Sequence, residues 1–282
     1  MVKINSNRIT QLDGLRGIAA VMVLALHFPI TDSLITGNFF VRQSWLFVDF
    51  FFVLSGFIIG TNYYAKINNW SLFKTYIIKR VARLLPLLYF TVIIYFAYEI
   101  VGLFLNLKIN SQPLSYYVLQ TIDSLSFLNS TTILGDSQGM NPPSWSISAE
   151  MISYVVFALG MIMFSRKKIF FSILVIIICI VFMIMNNDYA FQNGDYGFVR
   201  GLLGFNLGVV TYKISKIKSI KTDLLEIPAI LLILVAFYFT FHNKSQLQNL
   251  QYLIFPFIFS LVVYVFRFSS GFISNMLNSK LL

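Results

Sequence analysis

The 282-residue chain is 57% hydrophobic and only 11% charged, and its mean hydropathy is +0.77. Globular proteins are roughly 45–50% apolar and about 25% charged, so this composition excludes a soluble fold and predicts an all-α, polytopic membrane protein. The formal net charge of +10 falls in short basic segments between apolar runs. This distribution is typical of cytoplasmic loops and excludes a nucleic-acid-binding surface.

Apolar runs of about 20 residues predict helices that cross the bilayer, and the chain contains about eight of them. No soluble-looking block is long enough to fold separately, so we expect one integral-membrane domain over residues 1–282. The first run follows Lys3 and Arg8 without a small-residue cleavage site, so it is expected to be a retained helix. The stretch 113–130 is interrupted by Asp123 and is expected to be interfacial or re-entrant. The eight runs centre on residues 12–30, 46–64, 85–105, 149–164, 169–186, 197–213, 226–242 and 250–267.

The basic residues are distributed unevenly between the two sides of these predicted spans. If the N-terminus is cytoplasmic, the segments 64–84, 165–168 and 213–221 are cytoplasmic and contain most of the lysines and arginines. The opposite loops contain Arg42, Lys108 and Lys244. Because short cytoplasmic loops are enriched in Lys and Arg, this asymmetry predicts a multi-pass protein with its N-terminus in the cytoplasm.

The first span contains two ionisable residues at membrane depth, where charge is costly and indicates function by default. Arg16 and His27 are eleven residues apart, which is close to three turns, so they share a helix face and differ in depth by about 16 Å. Asp13 precedes Arg16 by three residues and is expected to pair with it. The alternative for His27 is a hydrogen-bonded packing histidine, which is less favoured in a membrane span.

Two carboxylates enter later spans from the predicted outer side. Asp49 lies in the apolar run 45–57, at the predicted level of His27, where it could orient the imidazole or raise its basicity. The alternative is an interfacial carboxylate at a helix N-terminus. Glu150 follows the Pro142-Pro143 turn, with Ser146 four residues earlier on the same helix face. Convergence of His27, Asp49 and Glu150 on one level from three helices is the main argument from the residues for catalysis.

The third span is preceded by Arg80 and Arg83, which lie on one helix face at the predicted cytoplasmic side. Two guanidinium groups three residues apart can bind a phosphate, although plain membrane anchoring is the alternative. Arg200 has the same two interpretations, function or extension towards lipid headgroups. The pairs Gly56/Gly60 and Gly204/Gly208 are typical of closely packed helices. The sequence contains no P-loop, paired Cys/His metal spacing or nucleophile elbow, so no metal site is expected.

Four separated blocks together resemble the acyltransferase-3 family of integral-membrane O-acyltransferases. They occur in the family's order, and each lies at a predicted helix end within roughly the first 160 residues of the chain. The blocks are Leu12–Gly17 followed by His27, Asp49–Gly56, Arg80–Arg83 and Ser146–Glu150.

The resemblance implies an enzyme that transfers an acyl group, usually acetyl, from cytoplasmic acyl-CoA to a hydroxyl of an envelope carbohydrate or lipid-linked glycan. It also implies the bacterial cytoplasmic membrane and acyl-CoA as a co-substrate, with no permanently bound cofactor. The chain has fewer spans than is usual for the family, so a C-terminally short member is expected. Arg16, Arg80 and Arg83 would hold the CoA phosphates, and His27 would act as base or proton shuttle with Asp49 or Glu150 tuning it. Supporting roles are expected for Asp13, Ser55 and Ser146.

Two other functions are compatible with the same residues. A transporter or flippase of a lipid-linked sugar would also place ionisable residues along a polar path, but no repeat symmetry or pair of broken helices is visible. An inactive family member that binds the donor without transfer is the second alternative.

Overall fold

The computed structural model describes residues 9–27, 38–105, 112–135, 139–186, 195–217, 221–242 and 250–278. These residues form helices and short 3-10 turns without any β-strand, which confirms the all-α prediction. Several of the loop charges considered above, among them Lys3, Arg8, Lys108 and Lys244, lie outside the described residues. The helices are α1 (Thr10–His27), α2 (Phe39–Arg42), α3 (Phe47–Tyr63), α4 (Trp70–Phe104), α5 (Leu114–Leu125), α6 (Trp145–Met163), α7 (Lys168–Met185), α8 (Gly197–Ile217), α9 (Glu226–His242), α10 (Phe255–Phe268) and α11 (Phe272–Leu277).

Six helical segments among the described residues are long and apolar enough to cross a membrane, so the chain is a multi-pass membrane protein. The other two predicted spans coincide with α1 and α8, which are helical but less apolar. Asp13, Arg16 and His27 lie in α1, and Arg200 and Lys213 lie in α8. The six segments are Phe39–Tyr63, Trp70–Phe104, Pro142–Met163, Lys168–Met185, Asp223–His242 and Leu250–Phe268.

Helix α4 differs most from the prediction, because it has 35 residues and begins at Trp70 rather than near residue 85. The side chain of Asn69 caps its first turn by accepting a hydrogen bond from the Leu72 backbone N–H at 2.9 Å. The helix then continues through Pro86. The predicted span starts later because it was based on apolarity, and the first turns of the helix are rich in Lys and Arg. These residues are nevertheless good helix formers, so the helix itself begins earlier.

Helix α5 has 12 residues, fewer than the ~20 that a membrane-crossing helix needs. This length agrees with the expectation that the stretch 113–130 does not span the bilayer. Phe127 follows the helix with a φ of 57°, in the left-handed region, and residues 128–135 after it form turns and bends without a helix.

The described chain divides into two compact units, and the first comprises residues 1–61 and 207–282. Its interior is built from phenylalanines: the Phe237 ring lies 5.4 Å from that of Phe47 and 5.3 Å from that of Phe255. Two of the predicted glycine positions pack closely here. A Cβ at Gly208 would overlap the Val53 carbonyl oxygen, and one at Gly60 would lie 3.0 Å from the Tyr212 ring. These glycines therefore permit close helix packing, as the spacing predicted.

The second unit comprises residues 62–206. Helix α4 packs against both α5 and α6, and α6 also packs against α7. An apolar cluster around Leu88, Val92, Tyr117 and Met140 joins α4 and α5 to the segment before α6. Lys168 closes the turn after α3, because its ammonium group donates to the carbonyl oxygens of Tyr64 (2.9 Å) and Ile67 (3.1 Å). This unit contains Arg80, Arg83, Ser146 and Glu150.

Candidate functional site

Arg80 is surrounded by three tyrosines in the second unit. Its guanidinium carbon lies 5.4 Å from the ring centroid of Tyr63, 5.6 Å from that of Tyr76 and 5.7 Å from that of Tyr154. One terminal nitrogen also donates to the Tyr63 hydroxyl at 3.3 Å. A cation over an aromatic face gains about 0.5–2 kcal/mol, depending on desolvation. The three rings therefore hold this charge in a defined orientation within the unit.

Glu150 joins the same cluster through Tyr154. The Tyr154 hydroxyl donates a hydrogen bond to the Glu150 carboxylate, and the Tyr154 ring stacks edge-on against Tyr76 with centroids 6.1 Å apart. Tyr76 lies within electrostatic range of both Arg80 and Glu150. The structure therefore brings two predicted site residues, Arg80 and Glu150, into one cluster with tyrosines between them. We refer to Tyr63, Tyr76, Arg80, Glu150 and Tyr154 as the Arg80 cluster.

This proximity was not expected, because the sequence suggested that Arg80 lies at a cytoplasmic helix entrance and Glu150 on the outer side. The early start of α4 removes that separation. Arg80 is ten residues beyond Trp70, which is about 15 Å along a helix axis. Glu150 is five residues into α6, or about 7.5 Å. Both residues therefore lie inside long helices, and Tyr154, one turn beyond Glu150, completes the contact.

Arg83 lies one turn beyond Arg80 on α4 but in a different environment. Its side chain is exposed, whereas that of Arg80 is half-buried. The two arginines therefore do not form a symmetric pair of anion-binding groups. Arg83 can reach a ligand outside the unit, whereas the guanidinium of Arg80 lies among three tyrosine rings.

The start of α6 is anchored by a buried network of hydroxyl and amide groups. Ser130 and Ser148 share a hydrogen bond of 2.8 Å, and Ser148 also donates to the Phe127 carbonyl oxygen at 2.6 Å. The Asn129 amide donates to the Ser144 hydroxyl at 2.8 Å. The hydroxyl groups of Ser130, Ser144 and Ser148 are all bonded, whereas the buried Asn129 Oδ1 has no hydrogen-bond partner among the described residues. The bonds that are made still join residues 127–130 to the start of α6. The network therefore fixes the helix turn from which Ser146 and Glu150 project.

Gly139 is required by this network, since it has a φ of 63° and a Cβ there would lie 2.7 Å from the Asn129 amide nitrogen. Ser146 makes a local contact, donating to the Pro143 carbonyl oxygen at 3.0 Å. This hydrogen bond closes the turn that leads into α6.

Arg200 is 3% exposed, and its guanidinium lies 5.2 Å from the Trp145 ring centroid. Burial within the second unit excludes the interpretation that this side chain extends to lipid headgroups. A buried arginine needs compensating partners, and the Trp145 ring is one of them.

Helix α1, in the first unit, contains the Asp13–Arg16 pair and His27. A guanidinium nitrogen of Arg16 lies 3.6 Å from a carboxylate oxygen of Asp13, which confirms the predicted pairing. Each side chain is about one-third exposed, so the pair contributes about 0.5 kcal/mol or less. The His27 ring is exposed, and its Nδ1 lies 2.8 Å from the Val23 carbonyl oxygen.

The contact of His27 determines which nitrogen can accept a proton. A carbonyl oxygen only accepts hydrogen bonds, so Nδ1 must carry the hydrogen in this arrangement. The lone pair of the neutral ring is then on Nε2, which points away from the helix backbone contact. In this tautomer Nε2 carries the lone pair that a general base uses to accept a proton.

Asp49 lies in the first turn of α3 and is fully buried in the first unit, whereas Ser55, further along the same helix, is half-buried. Burial of a carboxylate in an apolar helix is costly and indicates a specific role. The predicted convergence of His27, Asp49 and Glu150 on one membrane level stays a prediction. In the part of the chain that the structure describes, no group of three His, Cys, Asp or Glu side chains could hold a metal ion.

The tyrosines of the Arg80 cluster were missed from the sequence. Their signal was present as helical spacing, because Tyr76 precedes Arg80 by four residues and Tyr154 follows Glu150 by four. A pattern of this kind places an aromatic ring beside a charge on one helix. That the two helices meet at these positions depends on tertiary packing.

Comparison with known proteins identifies the family. The sequence matches the acyltransferase-3 family model, described as an acyltransferase domain, over residues 9–281. A curated protein of Rhizobium radiobacter named "Protein 2 in picA locus" is 29% identical over 163 residues, which is 54% of this chain and 81% of that protein. No solved structure matches the chain. Because the family model covers nearly the whole sequence, the chain belongs to the acyltransferase-3 family.

Proposed function

We propose that this member of the acyltransferase-3 family transfers an acyl group, acetyl in the simplest case, from cytoplasmic acyl-CoA to a hydroxyl of an envelope carbohydrate. The family match over residues 9–281 carries the reaction class. The acceptor is a polysaccharide or its lipid-linked precursor, and the enzyme works in the bacterial cytoplasmic membrane with its N-terminus inside.

The proposed reaction uses His27 as the general base. As the acceptor hydroxyl oxygen attacks the thioester carbonyl carbon, Nε2 takes the hydroxyl proton. The carbon–sulfur bond then breaks, and the leaving thiolate takes that proton to give free CoA and the acyl ester. The tautomer imposed by the Val23 carbonyl supports this role. Asp49, buried in the same unit, would stabilise the transient imidazolium.

The arginines are proposed to bind the phosphate groups of the donor. Arg83 is exposed on α4 and Arg16 is one-third exposed on α1, so both can reach a ligand outside the protein interior. Arg80 adds a fixed positive charge that its tyrosines orient. Guanidinium groups suit this task because their planar donors match phosphate oxygens.

The experiment that tests this function measures O-acetylation of surface polysaccharide by NMR in a deletion strain. The strain is complemented with the wild-type gene, with His27→Ala or with His242→Ala. His242 is a matched control, because its Nδ1 makes the same contact, 2.9 Å from the Tyr238 carbonyl oxygen four residues earlier. We expect acetyl signals with wild type and His242→Ala and none with His27→Ala, at equal membrane expression.

Two other outcomes would contradict part of the proposed function. Equal acetylation in all strains would exclude this acceptor and favour transport of a lipid-linked sugar or an inactive protein. Full acetylation with His27→Ala would retain the transferase but remove His27 from its mechanism. Incubating the purified protein with radiolabelled acetyl-CoA separates these cases, since a transporter would not consume the thioester.

A further inference from the structure

The first unit contains a cavity of about 250 Å³ that is lined only by Leu, Ile, Ala, Phe and Val residues. Its walls come from α1, α2, α3, α9, α10 and α11. The deepest wall residues, among them Ala19, Phe50 and Phe259, are each at most 3% exposed. The Ile18 side chain also lines the cavity and is 41% exposed, so the cavity reaches the surface beside α1.

The chemistry of the walls restricts what can occupy this space. A water molecule in a buried cavity needs two to four polar partners, and apolar cavities of about 150 Å³ stay dry and bind hydrocarbon. An empty space of this size forfeits dispersion contacts on all of its lining atoms. The occupant is therefore expected to be hydrocarbon, without a charged or hydroxylated group inside the cavity.

The wall formed by α11 is held in place by a buried carboxylate, so the cavity is a built feature rather than loose packing. Glu226 accepts hydrogen bonds from the backbone N–H groups of Ile273 (2.8 Å) and Ser274 (3.1 Å), and also from the Ser269 hydroxyl. Ile273 and Leu277 of α11 form one side of the cavity. The short helix could not keep this position by its own stability, since isolated helices of this length are marginal.

We propose that this cavity binds one hydrocarbon chain of a membrane lipid. The surface at its mouth is apolar, and α9, which contributes Ile230, Ile233 and Leu234 to the lining, belongs to a membrane-spanning segment. Lipid chains are therefore the hydrocarbon available at the opening. A cavity of about 150 Å³ binds benzene, which has six carbon atoms. In proportion, the volume of about 250 Å³ suits a chain segment of roughly ten carbons. This inference does not depend on acyl transfer, and it adds a lipid-binding site to the proposed function.

Photo-crosslinking tests this site directly. The protein is reconstituted in nanodiscs that contain a phospholipid with a diazirine in one acyl chain, irradiated, and digested for mass spectrometry. We expect labelled wall residues on α1 and α9, with Leu15, Ile230 and Leu234 among them, because these half-buried side chains offer accessible surface to the cavity. Lipids that only surround the protein would instead label exposed residues such as Leu231 on α9.

Two pairs of variants separate the cavity from the general lipid surface. Ala19→Leu fills the cavity, and Ile18→Trp blocks its mouth. Each is expected to lower labelling of the wall residues about tenfold, which is the loss of affinity expected when two methylene groups of the lipid chain can no longer be buried. The controls Ala20→Leu and Val21→Trp introduce the same side chains at neighbouring exposed positions and are expected to leave labelling unchanged. Ile18→Trp decides the test if Ala19→Leu is not monodisperse, because Ile18 is already partly exposed.

Three results would overturn the proposal. The first is labelling of exposed positions with none in the cavity wall, and the second is wall labelling that neither Ala19→Leu nor Ile18→Trp reduces. The third comes from a parallel experiment with an acyl-CoA that carries the diazirine in its acyl chain. Wall labelling by that probe alone would assign the cavity to the acyl donor instead of a lipid. None of these readouts requires transferase activity, so failure of the proposed function would not be mistaken for failure of this site.

Discussion

Single residues in the second unit show how a charge can be kept inside a membrane helix. Arg80 is half-buried among three tyrosine rings, and one of them, Tyr154, also donates to Glu150. The aromatic faces attract the guanidinium without neutralising it, and the hydroxyl gives the carboxylate a fixed partner. Tyr154 is therefore the residue that links the two charges of the Arg80 cluster.

Tyr154→Phe tests this link, because it keeps the ring over Arg80 and removes the hydroxyl. We expect the free energy of unfolding to fall by about 1–2 kcal/mol, since the half-buried Glu150 carboxylate loses a hydrogen-bond donor. We also expect kcat for acyl transfer to fall at least about tenfold if the orientation of Glu150 matters to the reaction. Thermal unfolding in detergent and acetyl-CoA turnover measure the two effects. Tyr89→Phe, on the same unit's half-buried Tyr89, is the control and should leave both unchanged.

Arg83 and its neighbour Lys79 provide a second test at this scale. Both side chains are exposed on α4, so a general loss of positive charge would affect them alike. Arg83→Gln is expected to raise KM for acyl-CoA about tenfold or more, as loss of a charge-assisted hydrogen bond to phosphate would, whereas Lys79→Gln should leave KM within about twofold. Equal effects of the two substitutions on KM would show that only the overall charge of the surface matters.

At the scale of helices, glycines determine how closely the elements of the first unit approach. Gly208 on α8 faces the Val53 carbonyl oxygen, and no Cβ fits there without displacement of backbone. Gly17 on α1 has no neighbouring atom within 4 Å of the position that its Cβ would occupy. The two residues are both glycines in helix interiors, but only one of them is required by packing.

Gly208→Ala and Gly17→Ala should therefore change stability in opposite directions. Overpacking is expected to make Gly208→Ala destabilising by about 1–3 kcal/mol, while Gly17→Ala should be neutral or stabilising by up to about 1 kcal/mol, because alanine favours helix. Thermal unfolding of the two purified variants in the same detergent checks both. A stable Gly208→Ala protein would mean that α8 can move away from α3 without cost.

For the whole molecule, the distribution of basic residues predicts which loops face the cytoplasm. The chain has one cysteine, Cys179, which is buried, so a Cys179→Ser background makes single-cysteine labelling simple. Arg166 lies between α6 and α7 on the predicted cytoplasmic side, and Gln112 precedes α5 on the opposite side. Both residues are exposed.

Labelling of intact cells with a membrane-impermeant maleimide tests this arrangement. Gln112→Cys is expected to react in intact cells, and Arg166→Cys only after the membrane is permeabilised, because positively charged loops stay in the cytoplasm. The reverse pattern would invert the topology and move the predicted donor side to the outer face. Reaction of both in intact cells would rule out an odd number of crossings between them.

The sequence by itself determined the class of protein, the approximate positions of the predicted spans and the local Asp13–Arg16 pair. These features depend on average apolarity and on spacings of a few residues, which can be read without a fold. The early start of α4 was not predicted, because its first turns are basic and a helix can extend beyond the apolar segment that crosses the bilayer. Only the tertiary structure decided that Arg80 and Glu150 share Tyr154, and that α11 closes an apolar cavity through Glu226. Both depend on which helix faces meet, and packing between residues far apart in the chain determines that.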